Sequence, residues 1–406
     1  MPKAADIVAE DRGEDVSTME PLLLGEKNKA ALVDAALELA RKSASLRASL
    51  PPYLAASLAE LVRGMNCYYS NLIEGHDTHP VQIERALKDD YSSDATKRDL
   101  QLEAKAHIAV QRWIDKGGLR ERSAFAPESI TEIHRRFCEL LPPDLLVVED
   151  PETKRTVKVV PGKFRSRDVR VGNHISVSPG ALPRFIARFA TAYSSLGKTE
   201  SIVAAAAAHH RLLWIHPFAD GNGRVARLMS HAMLLNLLDT GALWSVARGL
   251  ARNAGQYKRL LSNCDLPRRN DLDGRGNLSE EALAEFTKFF LDVCIDQVTF
   301  MESLMQPDHL RTRILMWAEE EIRLGNLPPK SGSVLEAILY RGELPRSEVA
   351  GIVGTGDRQA RRIISAISEK GVLSADTSRS ALRLTFPAAL ASRWMPGLFP
   401  GEQDDK

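Results

Sequence analysis

From Glu26 onward, apolar residues return every three or four positions along most of the chain, and this rhythm restricts the fold more than any other feature. Spacing of i, i+3, i+4 and i+7 gathers the apolar side chains into one stripe on a 3.6-residue helix. "EKNKAALVDAALELARKSASLRAS", "RDLQLEAKAHIAVQRWI", "PESITEIHRRFCELL" and "RVARLMSHAMLLNLLDTG" all follow it, with breaks at Pro51-Pro52 and "EGHDTHP". One stretch departs: "TVKVVPGKFRSRDVRVGNHISVSP" alternates β-branched and polar residues and carries turn signals at Pro161-Gly162 and Gly172-Asn173. It predicts a short β-hairpin over 157–177 standing on a helical body.

The character changes again after the Gly- and Pro-rich break "RLGNLPPKSG". "SVLEAILYRG", "PRSEVAGIVG" and "GDRQARRIISAISEKG" predict three short helices, and "VLSADTSRSALRLTF" two strands. Three helices and a two-stranded wing outline a winged helix-turn-helix. The fold class is therefore mainly α, with a β-hairpin and a C-terminal winged helix. The expected layout is a mobile acidic leader at 1–20, an N-terminal helical region at 21–110, a core at 111–310 and the winged helix at 325–390.

Composition narrows the class of partner. The 406 residues carry a formal net charge of +1, so no global field selects a polyanion, and nucleic-acid binding would need a local basic face. Arg358, Arg361 and Arg362 on the third short helix, with Arg379 and Arg383 on the wing, supply one candidate face for DNA; packing against protein is the alternative. Cys67, Cys138, Cys264 and Cys294 are far apart and form no CxxC pair, which argues against a zinc site or a disulfide framework. The start lacks an apolar signal-peptide segment, and no run of about 18 apolar residues is present, so a cytoplasmic protein without a membrane span is expected.

The chemistry concentrates in "HPFADGNGRVAR", residues 216–227. A GNG triplet opening a helix presents backbone N–H groups at the positive end of the helix dipole, a natural anion site. Arg224 and Arg227, three residues apart, can clamp further phosphate oxygens. Asp220 is a hard oxygen ligand suited to Mg²⁺, and His216 is placed to act as a general base. Singly, each also fits a structural part: a cap, solvated charges, a core histidine. Their concentration in twelve residues favours a nucleotide phosphate undergoing attack at phosphorus. No GxxxxGK[ST] loop occurs, so this is not a P-loop protein.

That stretch resembles the complete motif of the Fic family, HxFx(D/E)GNGRxxR. The resemblance implies a Fic helical fold and transfer of AMP from ATP to a Ser, Thr or Tyr hydroxyl of a target protein, releasing pyrophosphate. It implies that His216 deprotonates the hydroxyl, Phe218 anchors the loop and Asp220 holds Mg²⁺. Gly221, Asn222 and Gly223 would cradle the phosphates, and Arg224, Val225, Ala226 and Arg227 complete the ATP-binding stretch. The hairpin at 157–177 sits where the family has a flap that aligns the target by strand addition. "RNAGQYKRLL" is similar to the adenine-side segment, placing Asn253 and Tyr257 by the base, although core packing also suits Tyr257. "DLDGRGNLS" (271–279) reads as a loop ending in a helix cap at Ser279.

"SNLIEG", Ser70 to Gly75, matches the family's inhibitory pattern (S/T)xxxE(G/N), on a helix upstream of the core. The resemblance implies auto-inhibition: Glu74 pairs with Arg227 and stands where the γ-phosphate goes, leaving ATP misaligned. In some relatives the same Glu serves removal of AMP from a modified target. A DNA-binding regulator with a nucleotide-sensing core is the rival class. Self-modification and a homodimer are compatible with the sequence, and no residue points to either.

Overall fold

The computed structural model describes residues 10–149, 156–172 and 174–400. A first group of helices, α1 (Glu26–Ala48), α2 (Pro52–Ile73), α3 (Pro80–Leu87), α4 (Ala95–Asp115) and α5 (Pro127–Glu139), leads to two small strand pairs. Helices α6 (Leu182–Tyr193), α7 (Lys198–Ile215), α8 (Asn222–Leu238), α9 (Val246–Arg252), α10 (Ala254–Asn263) and α11 (Glu280–Leu304) complete the body. Among them α7 is the axis. Its run "VAAAAAHH" is buried on every side, and small side chains let α1, α6, α8 and α11 pack closely around it. Helix α2 lies on α4 and α9, with its tip over the start of α8.

The predicted hairpin divides in two. Strand β1 (Val147–Glu149) pairs antiparallel with β2 (Thr156–Lys158), and β3 (Arg170–Val171) pairs with β4 (His174–Ile175). Pro161-Gly162 turns the chain between these pairs and closes neither. The alternation was real, but the partner of β2 lies upstream at 147–149, which period-two patterning cannot reveal. Asn173, expected in the second turn, lies outside the described residues.

Residues 10–20 are not a mobile leader; residues 1–9 lie outside the described part. Met19 and Leu22 are fully buried. The acidic side chains that suggested a solvated tail have distant basic partners: Asp11 accepts from Arg184 at 2.8 Å and Glu20 from Arg188 at 3.0 Å, both on α6. Glu14 accepts from the Ser178 backbone N–H at 2.8 Å.

The C-terminal unit follows α12 (Pro307–Arg323). It contains α13 (Ser331–Arg341), β5 (Glu343–Leu344), α14 (Val349–Val353), α15 (Asp357–Glu369), β6 (Leu373–Ser374) and β7 (Leu382–Leu384). The sheet has three strands in the order β5-β7-β6, one more than expected. Arg383 is not a free wing cation: it stacks on Tyr53 of α2 with 4.3 Å to the ring centroid and pairs with Glu343 and Asp376. The packed chain continues past 390 through α16 (Ala391–Trp394), whose Trp394 meets Trp317 edge-on at 5.2 Å. Tyr69 of α2 then donates to the Leu398 carbonyl at 3.1 Å. Ser279 caps α11 as expected, accepting from the Ala282 N–H. Among the described residues, no helix is long and apolar enough to cross a membrane.

Candidate active site

Helix α7 ends because His216 adopts a left-handed backbone conformation, φ 50°. That turn directs Pro217 and Phe218 back into the body. Phe218 is fully buried and lies flat on the His134 ring of α5, centroids 3.9 Å apart and planes within 1°. Asn222 closes the loop with two side-chain bonds to Phe218: Oδ1 accepts from its N–H and Nδ2 donates to its carbonyl, both at 2.9 Å. Its amide thus shapes the loop. Gly221, the N-cap of α8, has φ 80°, a conformation natural to glycine. Having no side chain, it leaves the first-turn N–H groups of α8 open to an anion.

The histidine has the form a base requires. Its Nδ1 lies 3.3 Å from the Leu213 carbonyl, a contact that puts the proton on Nδ1 and the lone pair on Nε2. Burial, then the Arg165 charge, lowers its pKa to about 4, so the ring is neutral at physiological pH. It borders a crevice of about 780 Å³ between β3–β4 and α10, lined by Ile175, Leu213, Trp214, Leu261 and Asp265.

Both motif arginines are buried and both are paired. Arg227 donates through Nε to the Ser70 hydroxyl at 2.8 Å and through Nη2 to the Ser70 carbonyl at 3.1 Å. The same Nη2 forms a close ion pair with Glu74. Burial pushes the Glu74 carboxyl up, but the Arg227 charge and hydrogen bond outweigh this and hold it below the ordinary range. A Cβ at Gly223 would lie 2.2 Å from Glu74 Oε1, so glycine is what allows the carboxylate to settle on the anion loop. Gly75, with φ 89°, ends the helix immediately after it.

Arg224 pairs with Glu103 of α4 at 3.0 Å and stacks on Phe137 at 5.1 Å. His76 Nδ1 lies 2.8 Å from the same carboxylate. Burial raises Glu103, but the bond from His76 and the Arg224 charge leave it lowered overall.

Other expected residues sit differently. Val225 and Ala226 are buried in the core, so only their backbone faces the loop. Asn253 and Tyr257 do not present a shared face: Asn253 is exposed and donates to the Gly249 carbonyl at 2.9 Å. Tyr257 is buried, its hydroxyl 2.8 Å from His209 Nε2, while His209 Nδ1 lies 2.9 Å from the Ser230 hydroxyl. Asp220 is exposed at the mouth of the loop, and no group of three or more potential metal ligands exists among the described residues.

Residues 124–234 match the family model described as Fic/DOC family. The chain carries a Fic/DOC domain. It is 30% identical over 173 residues to the protein adenylyltransferase Fic of Culex quinquefasciatus, and 29% identical over 170 residues to that of Drosophila erecta. Each match covers 41% of this chain and 31% of the relative, so the similarity spans under a third of those proteins. A crystal structure of a Fic family protein from Desulfovibrio desulfuricans G20 aligns at TM-score 0.49 with 17% identity, covering 86% of this chain and 96% of that one.

The Fic/DOC domain also depends on residues that reading the sequence did not single out. His134 accepts from the Gly162 N–H at 2.9 Å while supporting Phe218. Arg165 donates to the His216 carbonyl at 2.8 Å, and Glu103, itself bonded by His76, holds Arg224. None belongs to a local pattern, and each reaches the loop across the fold.

Proposed function

We propose that this protein is an adenylyltransferase that moves AMP from ATP to a hydroxyl of a target protein and is restrained by its own Glu74. The observation that carries this reading is the carboxylate of Glu74 on Arg227, resting against Gly223 of an otherwise complete anion loop. His216 Nε2 takes the hydroxyl proton as that oxygen bonds to the α-phosphorus. The bond from the α-phosphorus to the bridging oxygen breaks, and pyrophosphate leaves. The N–H groups of the loop and the two arginines bind the phosphate charge. Asp220 fits a Mg²⁺ ion that takes most of its ligands from phosphates and water, and such an ion would supply charge neutralisation. Asn253 and Tyr257 are assigned no contact with the adenine, because the Asn253 amide donates to the Gly249 carbonyl and the buried Tyr257 hydroxyl is bonded to His209. The β3–β4 pair offers the target an exposed strand edge beside His216.

Glu74 bars the γ-phosphate position, so ATP bound beside it presents a misaligned α-phosphorus. The test incubates wild type, Glu74→Gly and Glu74→Gly/His216→Ala with Mg²⁺ and α-labelled ATP, with and without cell lysate. Label on protein in the Glu74→Gly lane, lost with His216, supports the reading, and self-modification is read from the same gel. Absence of label in every lane overturns it and favours AMP removal.

The four cysteines are all free and buried, which suits a reducing cytoplasm. A second reading concerns the C-terminal unit, a winged helix by outline. Arg358, Arg361 and Arg362 of α15 are exposed, and duplex DNA is the ligand they would take. Binding whose logarithm falls linearly with the logarithm of salt supports this; salt-independent binding opposes it.

A further inference from the structure

We infer that Arg165 is a positioning residue for His216: its guanidinium joins the backbone carrying the imidazole to both ends of the β3–β4 pair and fixes them as one corner. The inference rests on the transferase reading above. Arg165 follows the Pro161-Gly162 turn and is 5% exposed. Its Nε donates to the His216 carbonyl at 2.8 Å and its Nη1 to the Arg167 carbonyl at 2.8 Å. Nη2 donates to the Val177 carbonyl at 2.5 Å and reaches the Ile215 carbonyl at 3.5 Å. Its own N–H donates to the Pro217 carbonyl at 2.9 Å. One side chain thus touches the last turn of α7, the His216 peptide and both chain segments flanking the hairpin.

The geometry requires such an anchor. His216 is a non-glycine residue with positive φ, a backbone state that persists only when its surroundings hold it. The peptide carbonyl of this residue is the one Arg165 binds. A planar fork of donors can hold three carbonyls in fixed directions, whereas an ammonium cannot. Next to it, His174 Nε2 lies 2.7 Å from the Trp214 carbonyl, a weaker tie between the same two parts. The hairpin that would align a target and the base that would deprotonate it are therefore set against each other by Arg165.

Arg165 also leaves an electrostatic mark that a purely structural residue would not. Burial brings its pKa down to about 10, so it stays cationic at neutral pH. Burial dominates at His216, and the charges of Arg165 and His174 lower it further while the Leu213 carbonyl and Asp220 act oppositely. Lys258, His210 and Asp265 face the same crevice. Removing the Arg165 charge should move the His216 titration upward, and retaining a charge in the wrong shape should not.

Arg165→Lys and Arg165→Met are to be made in the Glu74→Gly protein. Three quantities are measured: the kcat and ATP KM of AMP transfer, the NMR titration of the His216 ring assigned with His216→Ala, and thermal stability. Both variants should lose kcat by about a hundredfold, the effect of misplacing a base by roughly 1 Å, with ATP KM little changed. In Arg165→Met the His216 ring should titrate higher than in the parent, and in Arg165→Lys close to it. Full activity in Arg165→Lys overturns the claim that the fork positions His216. An unmoved ring titration in Arg165→Met overturns the electrostatic half. If Glu74→Gly itself transfers no AMP, the transferase reading fails, and amide exchange at Ile215 and His216 decides the anchor: faster exchange in both variants supports it, unchanged exchange refutes it. If Arg165→Met does not fold, Arg165→Lys carries the positioning test and Arg165→Gln, which removes the charge but keeps a donor, carries the titration test.

Discussion

Arg224 and Arg227 sit one helical turn apart at the start of α8, both buried and both ion-paired, yet they are held in different ways. The partner of Arg224 is Glu103, in the middle of α4, with its side chain 13% exposed and 2.8 Å from His76 Nδ1, while Arg224 itself lies over the Phe137 ring. The partner of Arg227 is Glu74, the C-cap of α2, 34% exposed and followed directly by a glycine in the left-handed region. A carboxylate in a helix interior moves only with its helix, whereas one at a helix terminus can leave when the last turn frays. On the transferase reading proposed above, Glu103 keeps Arg224 in place while Glu74 withholds Arg227.

The largest expected effect is at the base. Replacing His216 by Ala in the Glu74→Gly protein should cut AMP transfer by about 10²–10⁴-fold, the usual contribution of a positioned general base, measured as initial rate. Next is Glu74→Gly itself. If its pairing is a typical conformational coupling of about 1–3 kcal/mol, transfer should rise about 5–150-fold, with a melting temperature close to wild type. Glu103→Ala should behave oppositely. It strands a buried guanidinium and should cost about 3–5 kcal/mol in denaturant unfolding, without raising transfer. Ser70→Ala removes one hydrogen bond to Arg227 and loosens Glu74 indirectly, so transfer should rise less than in Glu74→Gly.

The smallest effect concerns pH. Glu74 has a folded-state pKa below its ordinary value. Its pairing is therefore fully present above the unfolded value and is lost only as pH falls through the depressed folded value. The ratio of Glu74→Gly to wild-type rates should stay flat through neutral pH and narrow only in acid. A ratio that changes near neutrality would point to a histidine, His76 first, as the controlling group.

The contrast between the two arginines also marks what was legible beforehand. Glu74 announces itself because its partner pattern is local: Ser70, Glu74 and Gly75 fall on one helix end. The loop from His216 to Arg227 stands out as a candidate site in the sequence because its chemistry-bearing residues are adjacent. Glu103 gave no such signal. It is one charge among many on an amphipathic helix, and its meaning comes from contact with a residue 121 positions away. Arg165 likewise looks like another surface cation in a polar hairpin until the chain folds its backbone neighbours around it.

The fold shows the same division. Helical periodicity located the body because it is a property of neighbouring residues. The β3–β4 pair falls within the predicted hairpin, but the pairing of β2 did not follow, because it takes its partner from upstream. The acidic start was read as solvated because Arg184 and Arg188, which order it, lie about 170 residues away. Asn253 and Tyr257 share a spacing but not an environment, since Asn253 caps the junction of α9 and α10 at the surface while Tyr257 lies on the buried face of α10.

The most direct measurement compares AMP transfer from α-labelled ATP by wild type, Glu74→Gly and Glu103→Gln in one experiment, with folding checked for each. A rise in Glu74→Gly alone, with Glu103→Gln at or below wild type, is the predicted result. Equal activation by both substitutions, or activation by Glu103→Gln alone, would contradict the claim that Glu74 is the detachable restraint.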